Sequence, residues 1–341
     1  MRQLLCKMLG IDVPIVLAPM GGAVAPRLAA AVSNAGALGT LPLWRTDIET
    51  LLRAVRKIRS LTSRPFAVNL NMEFPQEERL EACLEERVPV ISFFWRDPGD
   101  LVKRAKAGGA VVMYTVGNAE DARRAVDAGV DIVVAQGWEA GGHVRGTVAT
   151  LPLVPAVVDV VGDTPVVAAG GIADGRGMAA ALALGAAGVW VGTRFLASEE
   201  VSIHSEYQRR ILAASESDTV WCENLFNGGW DNAPHRVLRN STVQNWEAAG
   251  RPPPGQRPGE GVIVAKSESR GDADRYMSIT PGPDTTGEIE ALSLWSGQGV
   301  ALVRKVQPAA EIVREMNEEA EAILRRLGQG SRSISNPRQL A

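Results

Sequence analysis

Eight short apolar segments alternate with amphipathic, Ala- and Leu-rich segments between residues 15 and 197. Each apolar segment is nearly continuous in its apolar character, as expected for parallel strands that are buried on both faces. Eight strands that alternate with helices predict a (β/α)8 TIM barrel of the α/β class. A doubly wound open sheet fits less well, because no G-x-G-x-x-G motif follows the first segment. The predicted strands cover residues 15–20, 37–43, 66–72, 89–95, 110–116, 132–138, 165–171 and 188–194.

The helices between these strands have recognisable ends. Residues 118–128 and 175–184 have helical patterns, and several helices finish in a small residue followed by glycine just before the next strand. Glycine adopts the left-handed conformation that ends many helices without steric cost. We therefore predict left-handed, helix-ending glycines at Gly36, Gly108, Gly129 and Gly185.

The pattern changes after the eighth predicted strand. Residues 206–215 have a helical pattern, but residues 250–261 are rich in proline and glycine, which favours a smaller cap subdomain inserted there over another βα unit. An amphipathic stretch, 308–327, predicts a last helix that returns to the barrel. The predicted division is a barrel over 1–199, a cap or substrate subdomain over 200–300, a C-terminal helix segment over 301–328 and a disordered tail over 329–341.

Composition restricts the partners and the compartment. The chain has 36 Lys and Arg against 39 Asp and Glu, a net charge of -3, with no basic stripe, so we expect no nucleic-acid partner. No apolar run approaches the ~20 residues of a membrane span, and the N-terminus lacks the apolar core of a signal peptide. The three cysteines lie far apart and neither HxH nor HExxH occurs, so we predict no disulfide framework and no metal site. We expect a cytoplasmic protein without a membrane partner, and a homodimer is left open.

Two glycine-rich turns lie where such barrels often bind phosphate, after the seventh and eighth strands. The seventh predicted strand ends in Gly170 and Gly171, and the eighth contains Gly192 and Thr193 near its end. Glycines let backbone N–H groups approach an anion without a Cβ in the way. The two turns together predict a bipartite phosphate site, and the alternative is a pair of ordinary tight turns.

One of the three histidines, His143, lies in a glycine-rich loop after the sixth predicted strand. A core histidine is expected among apolar neighbours, whereas Gly141 and Gly142 precede this one. Histidine titrates near neutrality, so at the catalytic end of a barrel it suits a general base or acid. A hydrogen bond to phosphate or substrate is the alternative role. Glu139 in the same loop is interpreted as a solvated charge.

Two further groups point to ligand contact. Asn69 and Asn71 are two residues apart on the third predicted strand and therefore point the same way. Burying an amide without a partner is costly, which favours ligand contact for at least one of them. In the turn after the first strand, Pro19 and two glycines fix an irregular backbone that can face a flat ring, although a plain βα turn is equally consistent.

Five motifs give this chain a resemblance to the nitronate monooxygenase family, formerly called 2-nitropropane dioxygenases. The similarity runs over roughly residues 10–325, and related motifs occur in flavin-dependent enoyl-acyl-carrier-protein reductases. The family implies a TIM barrel with non-covalent FMN. The motifs are LAPM (17–20), AQGWEAGGH (135–143), AAGGIADG (168–175), VGTRF (191–195) and SGQGV (296–300).

The resemblance also implies roles for individual residues. Family motifs place the isoalloxazine ring near Ala18, Pro19, Met20, Asn69, Gln136 and Gly141. They place the FMN phosphate against Gly171, Trp190, Val191, Gly192 and Thr193, which agrees with the phosphate site predicted above at Gly170 and Gly171. His143 matches the family histidine that takes the α-proton of a neutral nitroalkane.

The implied reaction is the oxidation of alkyl nitronates by O2 to a carbonyl compound and nitrite, with neutral nitroalkanes as further candidate substrates. The small-molecule substrate and O2 are the expected partners. The alternative is an NAD(P)H-dependent flavin enoyl-thioester reductase, and a flavin- or phosphate-binding barrel without catalysis is a third class.

Three stretches depart from the family pattern. Trp95 ends the fourth predicted strand, and Arg96 and Asp97 follow it, where family members commonly have a glycine soon after the strand. Trp138 is large for its place in the loop after the sixth strand, and it is the tryptophan that we expect at a ligand. The other tryptophans, including Trp230 and Trp295, are predicted to pack. The triple proline in the cap is the third departure.

Overall fold

Eight parallel strands close into a barrel in the computed structural model, which describes residues 1–330. The strand order is β1-β9-β8-β6-β5-β4-β3-β2, and a bridge between Val16 and Leu38 joins β1 to β2. The predicted TIM barrel is therefore confirmed, and β7 lies outside it. The strands up to β9 are β1 (Ile15–Leu17), β2 (Gly39–Pro42), β3 (Phe66–Asn71), β4 (Val90–Phe94), β5 (Val111–Val116), β6 (Ile132–Gln136), β7 (Gly142–His143), β8 (Val166–Ala169) and β9 (Gly188–Val191).

Helices surround the barrel in the predicted places. Asn118 and Asp174 accept hydrogen bonds from backbone N–H groups at the starts of their helices, which explains where both helices begin. No helix within residues 1–330 is long and apolar enough to cross a membrane. The helices of the barrel region are α1 (Arg2–Leu9), α2 (Pro26–Asn34), α3 (Ile48–Leu61), α4 (Glu77–Glu85), α5 (Leu101–Ala107), α6 (Ala119–Asp127), α7 (Thr150–Val158) and α8 (Gly175–Ala183).

Three of the four glycines predicted to end helices have the left-handed conformation, and the prediction for the fourth is wrong. Gly36, Gly129 and Gly185 have φ of 86°, 93° and 98°. Gly108 instead has φ −76°, and the following Gly109 takes the left-handed conformation with φ 85°. Two adjacent glycines end this segment, and α5 uses the second of them as the turning residue.

The segment between β9 and the last helix forms two small antiparallel sheets. In one, β11 lies between β10 and β7, so this segment is paired directly with the loop that follows β6. In the other, β12 lies between β13 and β14. The helix predicted over 206–215 is α9. The elements are α9 (Ser205–Ala213), β10 (Thr219–Cys222), β11 (His235–Leu238), α10 (Ser241–Ala248), β12 (Ile263–Ser267), β13 (Gly271–Asp274) and β14 (Thr285–Gly287).

The chain returns to the barrel as predicted, in α11 (Ala309–Gly330), which packs against α8 and α2. Glu319 accepts a hydrogen bond of 2.8 Å from the N–H of Gly175, at the first residue of α8. The predicted tail of 329–341 lies outside the described residues, apart from residues 329 and 330, which belong to α11. The predicted domain division stays a prediction.

The apolar core has two layers, one inside the barrel and one between the barrel and its helices. Helix α1 closes the inner layer at the N-terminal ends of the strands. Side chains inside the barrel form one apolar cluster with Leu5, Leu9 and Ile11 of the N-terminal segment. A Cβ at Gly188, the first residue of β9, would lie 2.6 Å from Leu5 Cδ2. The helix therefore fills the N-terminal end of the barrel, and the opposite end is left for the site.

We predict that Leu5→Ala destabilises the protein by about 2–5 kcal/mol, because it removes a fully buried side chain from the barrel floor. Urea unfolding of both variants at neutral pH measures the effect. The neighbouring Leu4, whose exposed fraction is 40%, provides the control, and Leu4→Ala is expected to change stability by less than about 0.5 kcal/mol. Equal losses in the two variants would contradict the role of α1 as a plug.

Candidate active site

A cavity of about 1100 Å³ lies at the C-terminal ends of the barrel strands. Its volume is at the upper end of the about 300–1000 Å³ typical of ligand pockets, which is room for a cofactor and a substrate together. Its wall contains His143 and all but one of the predicted cofactor residues, namely Ala18, Pro19, Met20, Asn69, Gln136, Gly141, Gly170, Gly171, Trp190, Gly192 and Thr193. The exception, Val191, packs its side chain between the barrel and the helices, and its carbonyl accepts a hydrogen bond from the N–H of Ala18.

The predicted phosphate site is a concave stretch of backbone. Gly170 and Gly171 both have positive φ angles, 102° and 70°, which residues other than glycine rarely adopt. A Cβ at Gly170 would lie 2.9 Å from the carbonyl oxygen of Gly137, so this position accepts only glycine without a shift. Gly192 and Thr193, on the turn after β9, line the same cavity. The two turns are brought together as the sequence predicted.

The motif at 296–300 packs against the predicted phosphate site. A Cβ at Gly141 would lie 2.4 Å from the nitrogen of Gly297, and a Cβ at Gly299 would lie 2.9 Å from the carbonyl oxygen of Gly171. The N–H of Gly297 also donates a hydrogen bond of 3.0 Å to Thr193 Oγ1. These contacts explain why the motif is glycine-rich, a role that sequence reasoning did not assign.

The two asparagines of β3 both line the cavity, as their spacing predicts. Asn69 Nδ2 donates hydrogen bonds of 3.2 Å to the carbonyl and hydroxyl oxygens of Ser92. Asn71 Oδ1 accepts a hydrogen bond from the N–H of Glu73, which leaves Nδ2 as a donor. That Nδ2 is buried without a partner among the residues described. An unmatched buried donor on the cavity wall is consistent with ligand contact.

The surroundings of His143 differ from the sequence prediction. The residue lies in strand β7, and its ring contacts three tryptophans rather than the open space of a glycine loop. The ring centroid is 3.7 Å from that of Trp230, in a stacked arrangement, and 5.1 Å and 6.1 Å from those of Trp295 and Trp95. Its Nε2 is buried, with no hydrogen-bond partner in residues 1–330. Of the two glycines before it, Gly141 is needed for the close packing on Gly297, and Gly142 has a positive φ of 71°.

This environment keeps His143 neutral. Burial holds the pKa of the imidazole well below its ordinary value, and the nearby His235 and the positive charge of Arg45 lower that pKa further. A neutral imidazole can accept a proton, whereas an imidazolium cannot. The His143 imidazole is therefore unprotonated across the physiological pH range and able to accept a proton.

His235 is a packing residue of the segment after β9. It lies opposite His143 in the β11–β7 register. Its Nδ1–H donates to the carbonyl of Ala233 (2.8 Å), and its Nε2 accepts from the N–H of Phe226 (3.1 Å), so both ring nitrogens are satisfied. Burial lowers the pKa of His235 to about 4.

Glu139 and Trp138 both differ from their predicted roles. Glu139 is a half-buried anchor, because it accepts hydrogen bonds from the N–H (2.8 Å) and the hydroxyl (3.0 Å) of Thr150 at the start of α7. A carboxylate is favoured at that end of a helix by the helix dipole. Trp138 packs against Trp221 and the guanidinium of Arg236 instead of a ligand.

Trp95 adopts an unusual backbone conformation at the end of β4. Its φ is 86°, in the region that favours glycine, and its ring centroid lies 5.0 Å from that of Trp230. A bulky residue in this region is strained and persists only where its surroundings hold it, a pattern that is frequent at functional sites. Arg96 pairs with Glu73, and Asp97 accepts a hydrogen bond from the N–H of Gly99, so these two charges are bound elsewhere.

Several cavity residues were not found from the sequence. Trp230 and Trp295, predicted as packing residues, line the cavity, as do Trp44 and two arginines. Trp230 and Trp295 come from the segment after β9, where no strand periodicity predicts which loops reach the barrel. The unusual number of tryptophans around the cap was the available signal.

The comparisons with known proteins agree with this geometry. The family model described as nitronate monooxygenase matches residues 2–78 and 71–319. A curated Mycobacterium tuberculosis protein, (3aS,4S,5R,7aS)-5-hydroxy-7a-methyl-1-oxo-octahydro-1H-indene-4-carboxyl-CoA dehydrogenase, is 40% identical over 74% of this chain and 70% of its own. A Pseudomonas aeruginosa nitronate monooxygenase is 33% identical over 92% of this chain and 97% of its own. The structure of FabK from Thermotoga maritima is similar with a TM-score of 0.81 and 34% identity, over 96% of this chain and 98% of that chain.

We predict that Trp230→Leu raises the pKa of His143 toward its ordinary value, because removing the stacked indole lets cavity water reach the imidazole. NMR titration of the ring signals measures this, with the His143 signal identified by its loss in His143→Asn. Trp246→Leu is the control, since Trp246 packs in a separate apolar cluster. An unchanged His143 pKa in Trp230→Leu, or an equal rise in both variants, would contradict the claim that Trp230 lowers the pKa of His143.

Proposed function

Since the chain belongs to the nitronate monooxygenase family, we propose that it is an FMN-dependent enzyme that oxidises alkyl nitronates with O2 to a carbonyl compound and nitrite. Neutral nitroalkanes are the further candidate substrates. The protein is a flavin-dependent oxidoreductase, as its relatives are. The observation that carries the proposal is a neutral His143 on the wall of the same cavity as the glycine phosphate site.

The residues present fit FMN. The turns at Gly170–Gly171 and Gly192–Thr193 would hold its phosphate, since they offer backbone without side chains in the way. Residues Ala18 to Met20, Asn69, Gln136 and Gly141 would hold the ring. Bound FMN would supply the electron acceptor that no side chain of this wall provides.

His143 has a role only when the substrate is not yet an anion. A neutral nitroalkane must lose the proton on the carbon next to its nitro group, and His143 accepts it because the imidazole is unprotonated. A nitronate has already lost that proton. The tryptophans around His143 exclude water from the base, which keeps its pKa low.

A second candidate is the oxidation or reduction of a thioester. The 40% identical relative is named as a carboxyl-CoA dehydrogenase, and the enoyl-thioester reductase predicted as the alternative belongs to the same chemical class. The carbon next to a thioester carbonyl is also acidic, so a neutral base at His143 would suit it. The large cavity favours this candidate, since about 1100 Å³ for cofactor and substrate together is more than FMN and a small nitronate need.

We also propose a cytoplasmic enzyme that acts on small molecules and O2, without a nucleic-acid or membrane partner. The net charge of -3 and the lack of a basic stripe support this. A homodimer is compatible with the proposal.

We predict that an alkyl nitronate, added anaerobically and without NAD(P)H, bleaches the visible flavin absorbance of the purified protein. The nitronate is itself the electron donor, so no nicotinamide is required. Absorbance spectra before and after addition measure the change. A flavin that ignores nitronate but is bleached by NAD(P)H would favour the thioester reductase, and a protein that binds no flavin after reconstitution would contradict both candidates.

We predict that His143→Asn lowers kcat/KM for a neutral nitroalkane by about 10²–10⁴-fold, the usual contribution of a general base, and changes turnover of the preformed nitronate by less than about tenfold. O2 uptake measures both rates. Because burial lowers the His143 pKa, the wild-type rate with nitroalkane should fall on the acid side only well below the ordinary histidine range. His204→Asn, at the start of α9, is the control and should leave both rates unchanged. Equal losses for the two substrates would refute the role as a base.

A further inference from the structure

Two arginines bring positive charge to the cavity away from the glycine phosphate site. Of the residues that line the cavity, Arg45 and Arg270 are cations and Asp47 is a carboxylate. Asp47 accepts hydrogen bonds from the backbone and hydroxyl of Thr50 at the start of α3. Both arginines are exposed, which places them at the solvent opening, whereas Gly170 and Gly171 are half-buried.

Arg45 follows β2 and is held in place by aromatic rings. Its guanidinium carbon lies 5.3 Å from the centroid of the Trp44 ring and 4.6 Å from that of Phe74. It donates a hydrogen bond to the carbonyl of Gly229, next to Trp230. Burial lowers the pKa of Arg45, a sign that the charge is partly desolvated. In the part of the chain that the structure describes, no carboxylate forms an ion pair with it.

Arg270 reaches the same part of the wall from the turn between β12 and β13. Its Nη1 donates a hydrogen bond of 3.1 Å to the carbonyl of Thr280 and lies 3.0 Å from where a Cβ of Gly22 would be. Trp44 packs against the neighbouring Gly21, and its Cζ2 lies 3.1 Å from where a Cβ of Gly21 would be. Trp44 and Arg270 therefore contact two adjacent residues, Gly21 and Gly22, of the cavity wall that both arginines line. Among residues 1–330, Arg270 has no ion pair either.

Neither arginine forms an ion pair in the described part of the chain, and a carboxylate near Arg270, that of Asp284, accepts hydrogen bonds from Ser267 and Ser269. Most exposed arginines of the barrel helices pair with glutamate or aspartate, for example Arg53 with Glu49. Two guanidinium groups on one cavity wall without ion-pair partners suit an anionic ligand, and a phosphate is an anion whose geometry their planar forks match. The FMN phosphate would occupy the glycine turns after β8 and β9, so the two arginines are left for a second anionic group.

We propose that Arg45 and Arg270 form a second anion site that binds the phosphate-bearing end of a coenzyme A thioester while its acyl group reaches toward His143. The inference rests on the thioester candidate of the proposed function. In this proposal the two arginines select substrates whose phosphate groups lie far from the reacting carbon. A simple nitroalkane, which has no such group, would not use this site.

The experiment is calorimetric binding to the purified, flavin-loaded protein, with coenzyme A and with pantetheine, which has the same arm without phosphates. We expect coenzyme A to bind at least tenfold more tightly than pantetheine, and its affinity to fall as salt is raised. Arg45→Gln and Arg270→Gln should each weaken coenzyme A binding by about tenfold and leave pantetheine unchanged. Arg27→Gln is the matched control, since Arg27 is exposed on α2 outside the cavity wall.

Equal affinity for coenzyme A and pantetheine, no binding of coenzyme A, or unchanged binding in both cavity variants would overturn the proposal. An equal loss in Arg27→Gln would also overturn it, because the effect would then be one of net charge alone. The result is separate from the test of nitronate oxidation. Coenzyme A binding that depends on the two arginines would support the anion site even if nitronate is not a substrate. Nitronate turnover without such binding would support nitronate oxidation and overturn the anion site.

Discussion

The hydrogen bonding between the first and last strands of the barrel is the constraint on which the site depends. Val16 of β1 pairs with Trp190 of β9 and is bridged to Leu38 of β2, so the sheet closes on itself. Because all eight strands are parallel, closure brings every strand-to-helix turn to one end. The glycines after β8 and β9, the asparagines of β3 and the turn after β1 are thereby placed around one cavity. The opposite end is filled by α1, which leaves a single end for chemistry.

The chemistry of the base depends on a second set of contacts, made by the chain after β9. Strand β11 pairs with β7, and tryptophans from the same segment cover His143. Burial then lowers the pKa of the imidazole, so the segment after β9 pairs with the strand that carries His143 and also sets its protonation state. Glu139 and Arg236 hold the intervening loop through Thr150 and the Trp138 carbonyl.

Sequence reasoning reached the parts of this protein that are built from local repeats. The alternation of apolar runs and helices predicted the barrel, and glycines at strand ends predicted the phosphate turns, because both signals are properties of neighbouring residues. It failed where long-range packing decides. The conformation of Trp95, the packing of Trp138 on Arg236 and the exposure of Trp230 to the cavity depend on segments about 80–140 residues away in the chain. At Gly108 the error was a single residue, since either of two adjacent glycines can end the helix.

The pairing of His143 with His235 across about 90 residues has a consequence for the newly made chain. By the time α8 is synthesised, seven barrel strands and the loop with His143 have already been made, yet β11 and the motif at 296–300 have not. Contacts of such long sequence separation form late, after the local βα units. A nascent or truncated barrel would therefore carry an exposed, ordinary histidine that is readily protonated. The low pKa that keeps His143 neutral is in that sense acquired last, when nearly the whole chain has been made.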